Sequence, residues 1–202
     1  MLLICESEQI NDYLVELDVV NYSDSSIQGK VEELFHPSQS EVEKAKIAYE
    51  FVRDEIAHSW DIQGILVPSK ASDVLTHKQG ICYAKSNLLA SLLRSQGIPT
   101  GFCYQRLMLF DTPAKGYSLH ALNAVYFASL NKWVRLDARG NKPGVNAQFS
   151  IEVEKLAFSV NPELDEKDYP VIYTKPYSKT IEVLQAHTNA LEMYQNHLPE
   201  AL

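Results

Sequence analysis

The sequence is short of cysteine, of basic clusters and of long apolar runs, and each shortage narrows what the chain can be. Its 202 residues hold three cysteines, Cys5, Cys82 and Cys103, with no CxxC pair. An odd count at these spacings is not a disulfide framework and fits a reducing compartment. No Cys/His set has the spacing of a zinc site, so no metal ligands are assigned. Lysine and arginine number 18 against 26 acidic residues, for a formal net charge of -8, and there is no basic run. Nucleic-acid binding normally leaves a basic footprint, so nucleic acid is not an expected partner. No apolar stretch approaches the roughly 18 residues of a membrane helix. The opening MLLICESEQINDYL lacks the positive and apolar regions of a signal peptide. The expectation is a cytoplasmic protein without a membrane partner. Repeats and low-complexity segments are also missing. Residues 1–202, 46% of them hydrophobic, are enough to bury the core of a single domain.

What is present is concentrated between Lys78 and Gly97. From Ile81 onward, Ala84, Leu88, Leu89, Leu92 and Leu93 recur at three- and four-residue steps, which is one face of a helix. Gly97 before Ile98-Pro99 is a stop signal, and Arg94 falls in the last turn, where a cation suits the dipole. Gln79-Gly80 interrupts the chain just ahead, so Cys82 falls in the first turn. Unpaired N–H groups and the positive dipole end favour an anion there. A helix N-terminus is one of the settings that turns a thiol into a nucleophilic thiolate. The plain alternative is a core-filling cysteine, since free cysteine is among the most buried residue types.

The remaining elements give an α+β order. Residues 13–20 are β-branched and apolar enough for a strand, and the Ser/Asp-rich residues 21–29 read as a loop. Residues 40–56 form the clearest helix: Ser40 and Glu43 have capping-box spacing, and Val42, Ala45, Tyr49, Val52 and Ile56 make its apolar stripe. Residues 58–68 form a loop approaching the thiol, and residues 69–77 a short helix. Residues 100–110 read as a buried strand, with Cys103 on the face opposite Phe102 and Tyr104. Residues 111–116 are a turn. Residues 118–127 and 132–137 form a hairpin. A short helix is expected over 150–158. Residues 161–177, with three prolines and three tyrosines, read as an extended strap that either covers a cleft or packs on the core. One amphipathic helix over 178–195 closes the chain.

A cysteine nucleophile needs a base and a group to orient that base. His120 and Asp137 lie on the two hairpin strands. If opposing residue numbers sum to an odd value, the two share a face and are opposite or diagonal neighbours, within side-chain reach. An even sum separates them. The bland readings are a hydrogen-bonded core histidine and a strand-ending aspartate. Asn123 falls on the strand face opposite His120. Arg139 shares the parity of Asp137 and either pairs with a carboxylate of the protein, the favoured reading, or binds a substrate carboxylate. Arg106 is undecided between the same roles.

Gly80-Ile81-Cys82 opening a helix, His120-Ala121 on a strand and Trp133 to Asp137 on the next resemble the transglutaminase-like superfamily, a branch of the papain-like cysteine enzymes. The matching core runs over about residues 69–144. The resemblance implies a papain-like α+β fold in which the nucleophile helix packs on an antiparallel sheet. It implies Cys82 as nucleophile, His120 as base and Asp137 as its orienter, attacking an amide or thioester-like carbonyl through an acyl-enzyme. The expected substrate is a peptide, a protein or a small amide. Water resolves the thioester in a hydrolase such as a cysteine protease, and an amine acceptor resolves it in an acyltransferase. The Cys82 backbone N–H is the natural first oxyanion donor. Trp60 resembles the family's upstream tryptophan donor, and Gln79 is its rival. Many members carry tryptophan two residues after the histidine, where this chain has Leu122. The β domains of the calcium-dependent transglutaminases are absent at this length, and no EF-hand-like loop appears, so neither calcium nor a cofactor is expected. The reading from another class is a non-catalytic binding module on the same fold.

Overall fold

The computed structural model describes residues 1–202 apart from the side chains of Asp111 and Pro113. After a short strand β1 (Ile4–Cys5) come the helices α1 (Ser25–Leu34) and α2 (Glu41–Glu55) and the strand β2 (Ala57–His58). Helix α3 (Ala71–His77), strand β3 (Gln79–Gly80) and helix α4 (Cys82–Arg94) follow. The main strands are β4 (Thr100–Met108), β5 (Tyr117–Phe127) and β6 (Lys132–Leu136). Two short strands, β7 (Lys167–Asp168) and β8 (Val171–Ile172), precede the helices α5 (Ser178–Ala186) and α6 (Ala190–Asn196). The central sheet has the order β6-β5-β4-β7 and is antiparallel throughout. Among the described residues, no helix is long and apolar enough to cross a membrane.

Helix α4 is the centre of the molecule. All 13 of its residues are buried, between α2 and α3 on one side and β5 on another. The leucine face predicted from the sequence is therefore only part of its contact surface. The other faces carry small and polar residues whose side chains find carbonyl partners. The Lys85 ammonium donates to the carbonyls of Ile56 and Arg53 at the end of α2. Asn87 donates to Ser69 O at 3.0 Å, and the Tyr83 hydroxyl to Leu119 O at 2.8 Å. Arg94 does not serve the helix dipole at the surface. It is buried, and its guanidinium donates to the carbonyls of Val15, Thr100 and Thr174. Burial pulls its pKa down to about 10. Gly97, at φ +69°, ends the helix as its sequence position predicts, and the Ile98 N–H returns to Leu93 O at 3.1 Å.

The capping box of Ser40 and Glu43 opens α2 as predicted. Four expectations fail. Residues 13–20 form no strand: a 3₁₀ turn (Ile10–Leu14) drops Tyr13 into the core, and its hydroxyl donates to Ile172 O. The sheet edge that such a strand would need, along β4, is taken by β7 and by Tyr173. Residues 21–29 hold a helix start rather than a loop. Asp24 caps α1 by accepting from the Ser26 N–H at 2.9 Å, and Ile27 and Val31 turn inward. Residues 150–158 form no helix, because the N–H of Ala157 is given to Asp137 and that of Gln148 to Lys155 O. The closing helix is two helices, since Asn189 caps α6 by accepting from the N–H groups of Leu191 and Glu192.

Residues 161–177 pack as a strap along β4. Tyr169 N–H reaches Tyr104 O, Tyr173 exchanges backbone bonds with Phe102, and Tyr177 N–H reaches the Tyr104 hydroxyl. The strap's tyrosines therefore belong to the core packing. Replacing Arg94 by methionine keeps much of its volume but leaves the carbonyls of Val15, Thr100 and Thr174 without a donor. At roughly 1–3 kcal/mol for a buried unsatisfied group, partly relieved by water, the expected loss is about 2–4 kcal/mol in urea denaturation. A loss under about 1 kcal/mol would mean that these segments do not depend on the guanidinium.

Candidate active site

Cys82 is the first residue of α4, after Ile81 in extended conformation, and no side chain caps the helix start. The lead-in is held by β3, which pairs in parallel with β2 in the register Ala57 to Gln79 and His58 to Gly80. Gly80 is needed there: a Cβ would stand 3.0 Å from the Ala84 methyl. This pairing brings His58 next to the strand that feeds Cys82. It joins two-residue strands 22 positions apart, too short for a periodic signal, which is why sequence reasoning passed over His58.

Strands β5 and β6 pair with Asn123 opposite Leu136 and Val125 opposite Val134. The sum is odd, so Asp137 falls diagonal to His120. Their side chains meet, with His120 Nε2 2.8 Å from Asp137 Oδ2. Asp137 is buried and accepts two further bonds, from Arg139 N–H at 3.2 Å and Ala157 N–H at 3.0 Å. Burial raises its pKa, but the His120 charge and these donors outweigh burial and hold the carboxyl below its ordinary range. For His120, burial opposes protonation. The charge and hydrogen bond of Asp137, reinforced by the neighbouring Cys82 thiol, outweigh it and push the pKa up to about 10. The ring is therefore an imidazolium at neutral pH. With Nε2 on Asp137, Nδ1 is the nitrogen left for the thiol.

Cys82 and His120 line one cavity of about 520 Å³, a size that suits a small ligand or a few side chains. His58, Trp60, Arg139, Phe158 and Tyr194 share its wall. His58 is buried, and its Nδ1 has no hydrogen-bond partner among the described residues. Burial, then the charges of Arg139, Lys85 and His120, hold it well below the ordinary histidine pKa, so it is neutral. Trp60 stacks on Tyr194 at 4.8 Å and packs on Phe110 at 5.0 Å. Gln79 is not among the cavity-lining residues; its side chain lies over Gly64. Arg139 is held by both carboxylate oxygens of Asp61, so it pairs within the protein, although it borders the cavity. Arg106 pairs with Asp165 and lies on the Tyr117 ring. Asn123 donates to Ser86 O and Gly101 O, tying β5 to α4. Cys103 belongs to a separate cluster with Tyr13, Leu122 and Ile172, and burial pushes its thiol pKa up to about 12.

The model of the transglutaminase-like superfamily matches residues 28–138, more than half of the chain. No protein of curated function matches. Among solved structures, one similar to this chain is a protein from Cytophaga hutchinsonii assigned provisionally as a cysteine protease. It has 17% identity and a TM-score of 0.50 over 66% of this chain and 43% of its own. A second, described as a TGase, has 19% identity and a TM-score of 0.43 over 70% of this chain and 35% of its own. The chain thus spans less than half the length of either structure, and at 17% identity the likeness to the first is one of fold.

The His120–Asp137 pair has a pH signature. Histidine titrates near 6.5 when unfolded, and His120 near about 10 when folded. Because the folded value is the higher one, the pair's stabilisation is fully present below about pH 6.5 and is lost as pH rises through about 10. The stability deficit of Asp137→Asn should accordingly be largest near pH 6 and shrink towards pH 10. Ring-proton NMR should show His120 still protonated at pH 8 in the wild type. An imidazole titrating near 6.5 would contradict the geometry.

Proposed function

Because this chain belongs to the transglutaminase-like superfamily, we propose that it is a cysteine-dependent hydrolase of amide bonds, working through a thioester on Cys82. The observation that carries this reading is the meeting, in one cavity, of a thiol at a helix N-terminus with an imidazole whose far nitrogen is fixed 2.8 Å from a buried carboxylate. A binding module has no physical need for that buried ion pair, whose desolvation is costly.

The Cys82 sulfur, as the thiolate beside the charged His120 ring, attacks the substrate carbonyl carbon, forming the C–S bond and moving the carbonyl electron pair onto oxygen. Collapse of this tetrahedral species breaks the C–N bond, and His120 passes its Nδ1 proton to the departing amine. Water then attacks the thioester, the neutral His120 takes one of its protons, and breaking the C–S bond releases the acid and restores the Cys82 thiolate beside the charged His120 ring. Acylation also removes the Cys82 contribution that raises the His120 pKa, so the ring is more readily neutral and free to take a proton from water in the second half. Asp137 keeps the ring oriented throughout. The oxyanion is received by the Cys82 N–H and by the neutral imidazole of His58, which lines the cavity beside Cys82. Trp60, committed to its aromatic stack, and Gln79, outside the cavity wall, fit that role less well.

Water is favoured over a cationic amine acceptor by the charges at hand. Arg139 and Lys142 border the cavity. Among the described side chains, its one lining acid, Glu166, already accepts from the Met108 and Asn161 N–H groups. An amine-resolved acyl transfer remains the alternative form of the same chemistry.

Alkylation by iodoacetamide, mapped by mass spectrometry in a Cys5→Ser background, tests the activated pair. Cys82 should react rapidly below about pH 7 and lose that reactivity in His120→Ala, whereas Cys103 should stay inert. Cys82→Ala should abolish turnover of peptide amides and acyl transfer from p-nitrophenyl acetate, and Cys103→Ser should leave both intact. His58→Ala should lower kcat about 10²–10³-fold, with Trp60→Phe affecting it far less. Turnover surviving in Cys82→Ala would remove the mechanism, and the reverse order of the last two effects would return the oxyanion role to Trp60.

A further inference from the structure

Three potential metal ligands meet outside the cavity, where α5 hands over to α6. His187, Glu192 and His197 each offer one ligand atom, and these atoms all lie within 4.8 Å of one another. His197 Nε2 stands 2.6 Å from Glu192 Oε1, and the two imidazole rings lie 4.5 Å apart. His187 Nδ1 lies 2.8 Å from Val183 O. A carbonyl can only accept, so Nδ1 carries the hydrogen and Nε2 is the nitrogen whose lone pair is left for a metal. A backbone carbonyl fixing the far nitrogen is the usual second partner of a metal-ligating histidine. Glu192 and His197 are exposed, so an ion has a way in. The one-helix reading of residues 178–195 hid the cluster, because its five-residue spacings face one way only once Asn189 breaks the helix.

We propose that His187, Glu192 and His197 bind one divalent transition-metal ion of the zinc or nickel type. Two imidazoles and one carboxylate suit such ions, and they leave a coordination position to water. Calcium and magnesium demand more oxygen ligands than the cluster has. The ion would cross-link the end of α5 to both ends of α6. Helix α6 carries Tyr194, which lines the cavity and stacks on Trp60. Beyond it, Leu198 also lines the cavity, and the Pro199 carbonyl accepts the Leu119 N–H beside His120. Metal binding thereby stiffens one wall of the cavity without touching Cys82, His120 or Asp137.

Equilibrium dialysis of the full chain against Zn²⁺ and Ni²⁺, with its accessible thiols first blocked by iodoacetamide, tests this independently of any catalytic activity. One equivalent should bind, at least ten-fold more weakly in His187→Ala, His197→Ala and Glu192→Gln, and Ca²⁺ and Mg²⁺ should not compete. Zn²⁺ should raise the Tm of the blocked wild type but not of the His187→Ala/His197→Ala double variant. Glu192 is exposed, so its glutamine variant keeps the test valid if a histidine variant folds poorly. Equal binding by wild type and variants, or no binding by the wild type, would overturn the site.

Discussion

A helix buried on every side cannot leave its strong donors idle, because an unpaired buried polar group costs about as much as a hydrogen bond is worth. Helix α4 meets that constraint by donating outward. Lys85, Asn87 and Arg94 all send their donors to backbone carbonyls, and none of these carbonyls belongs to α4. Apart from Thr100, which opens β4, the receiving groups lie at the end of α2, on the approach to α3, on the segment after Tyr13 and on the strap. Burial of one helix thus organises segments that make few ladder bonds of their own. It also fixes the helix start, so Cys82 is set by the whole core rather than by its loop.

Asp137 plays the corresponding part on the sheet side. It ends β6, receives His120 from β5 and takes the N–H of Ala157 from a segment twenty residues downstream. A carboxylate satisfied from three directions has no freedom to swing, so the imidazole it holds is fixed as well. The cost of burying both charges is offset only because each is paired and hydrogen-bonded. The segment over 150–158 is irregular for the same reason: its backbone serves Asp137 and Gln148 rather than a helix of its own.

Where the pattern is local, the sequence is informative. The capping box at Ser40, the stop at Gly97 and the hairpin parity that brings His120 to Asp137 all rest on neighbours within a few residues or on a strict period of two. The failures share a different cause. Residues 13–20 have strand composition, yet the sheet edge they need is occupied by β7 and Tyr173, far along the chain. Asp24 falls in a stretch of loop composition and Asn189 inside a helical pattern, although each is a strong cap. Their effect depends on which following residues turn inward. His58 was invisible because two-residue strands have no period. Arg94 shows the opposite error: a reasonable local role, serving the dipole, was displaced by three carbonyls supplied by tertiary structure.

The two cavity histidines show how one environment sorts identical side chains. Burial works against the charge of both. His120 gains a carboxylate that more than offsets burial and becomes an imidazolium. His58 gains none and faces Arg139, Lys85 and the charge on His120 itself, so it is held neutral. Protonation of one ring therefore helps to keep the other uncharged. Titratable groups driven apart in this way divide the work of acid–base chemistry. A ring paired with a carboxylate is charged and aligned to move protons, while a ring held well below its ordinary pKa serves as a neutral hydrogen-bond partner. The division follows from which histidine Asp137 reaches, and that was decided by the odd register of a hairpin.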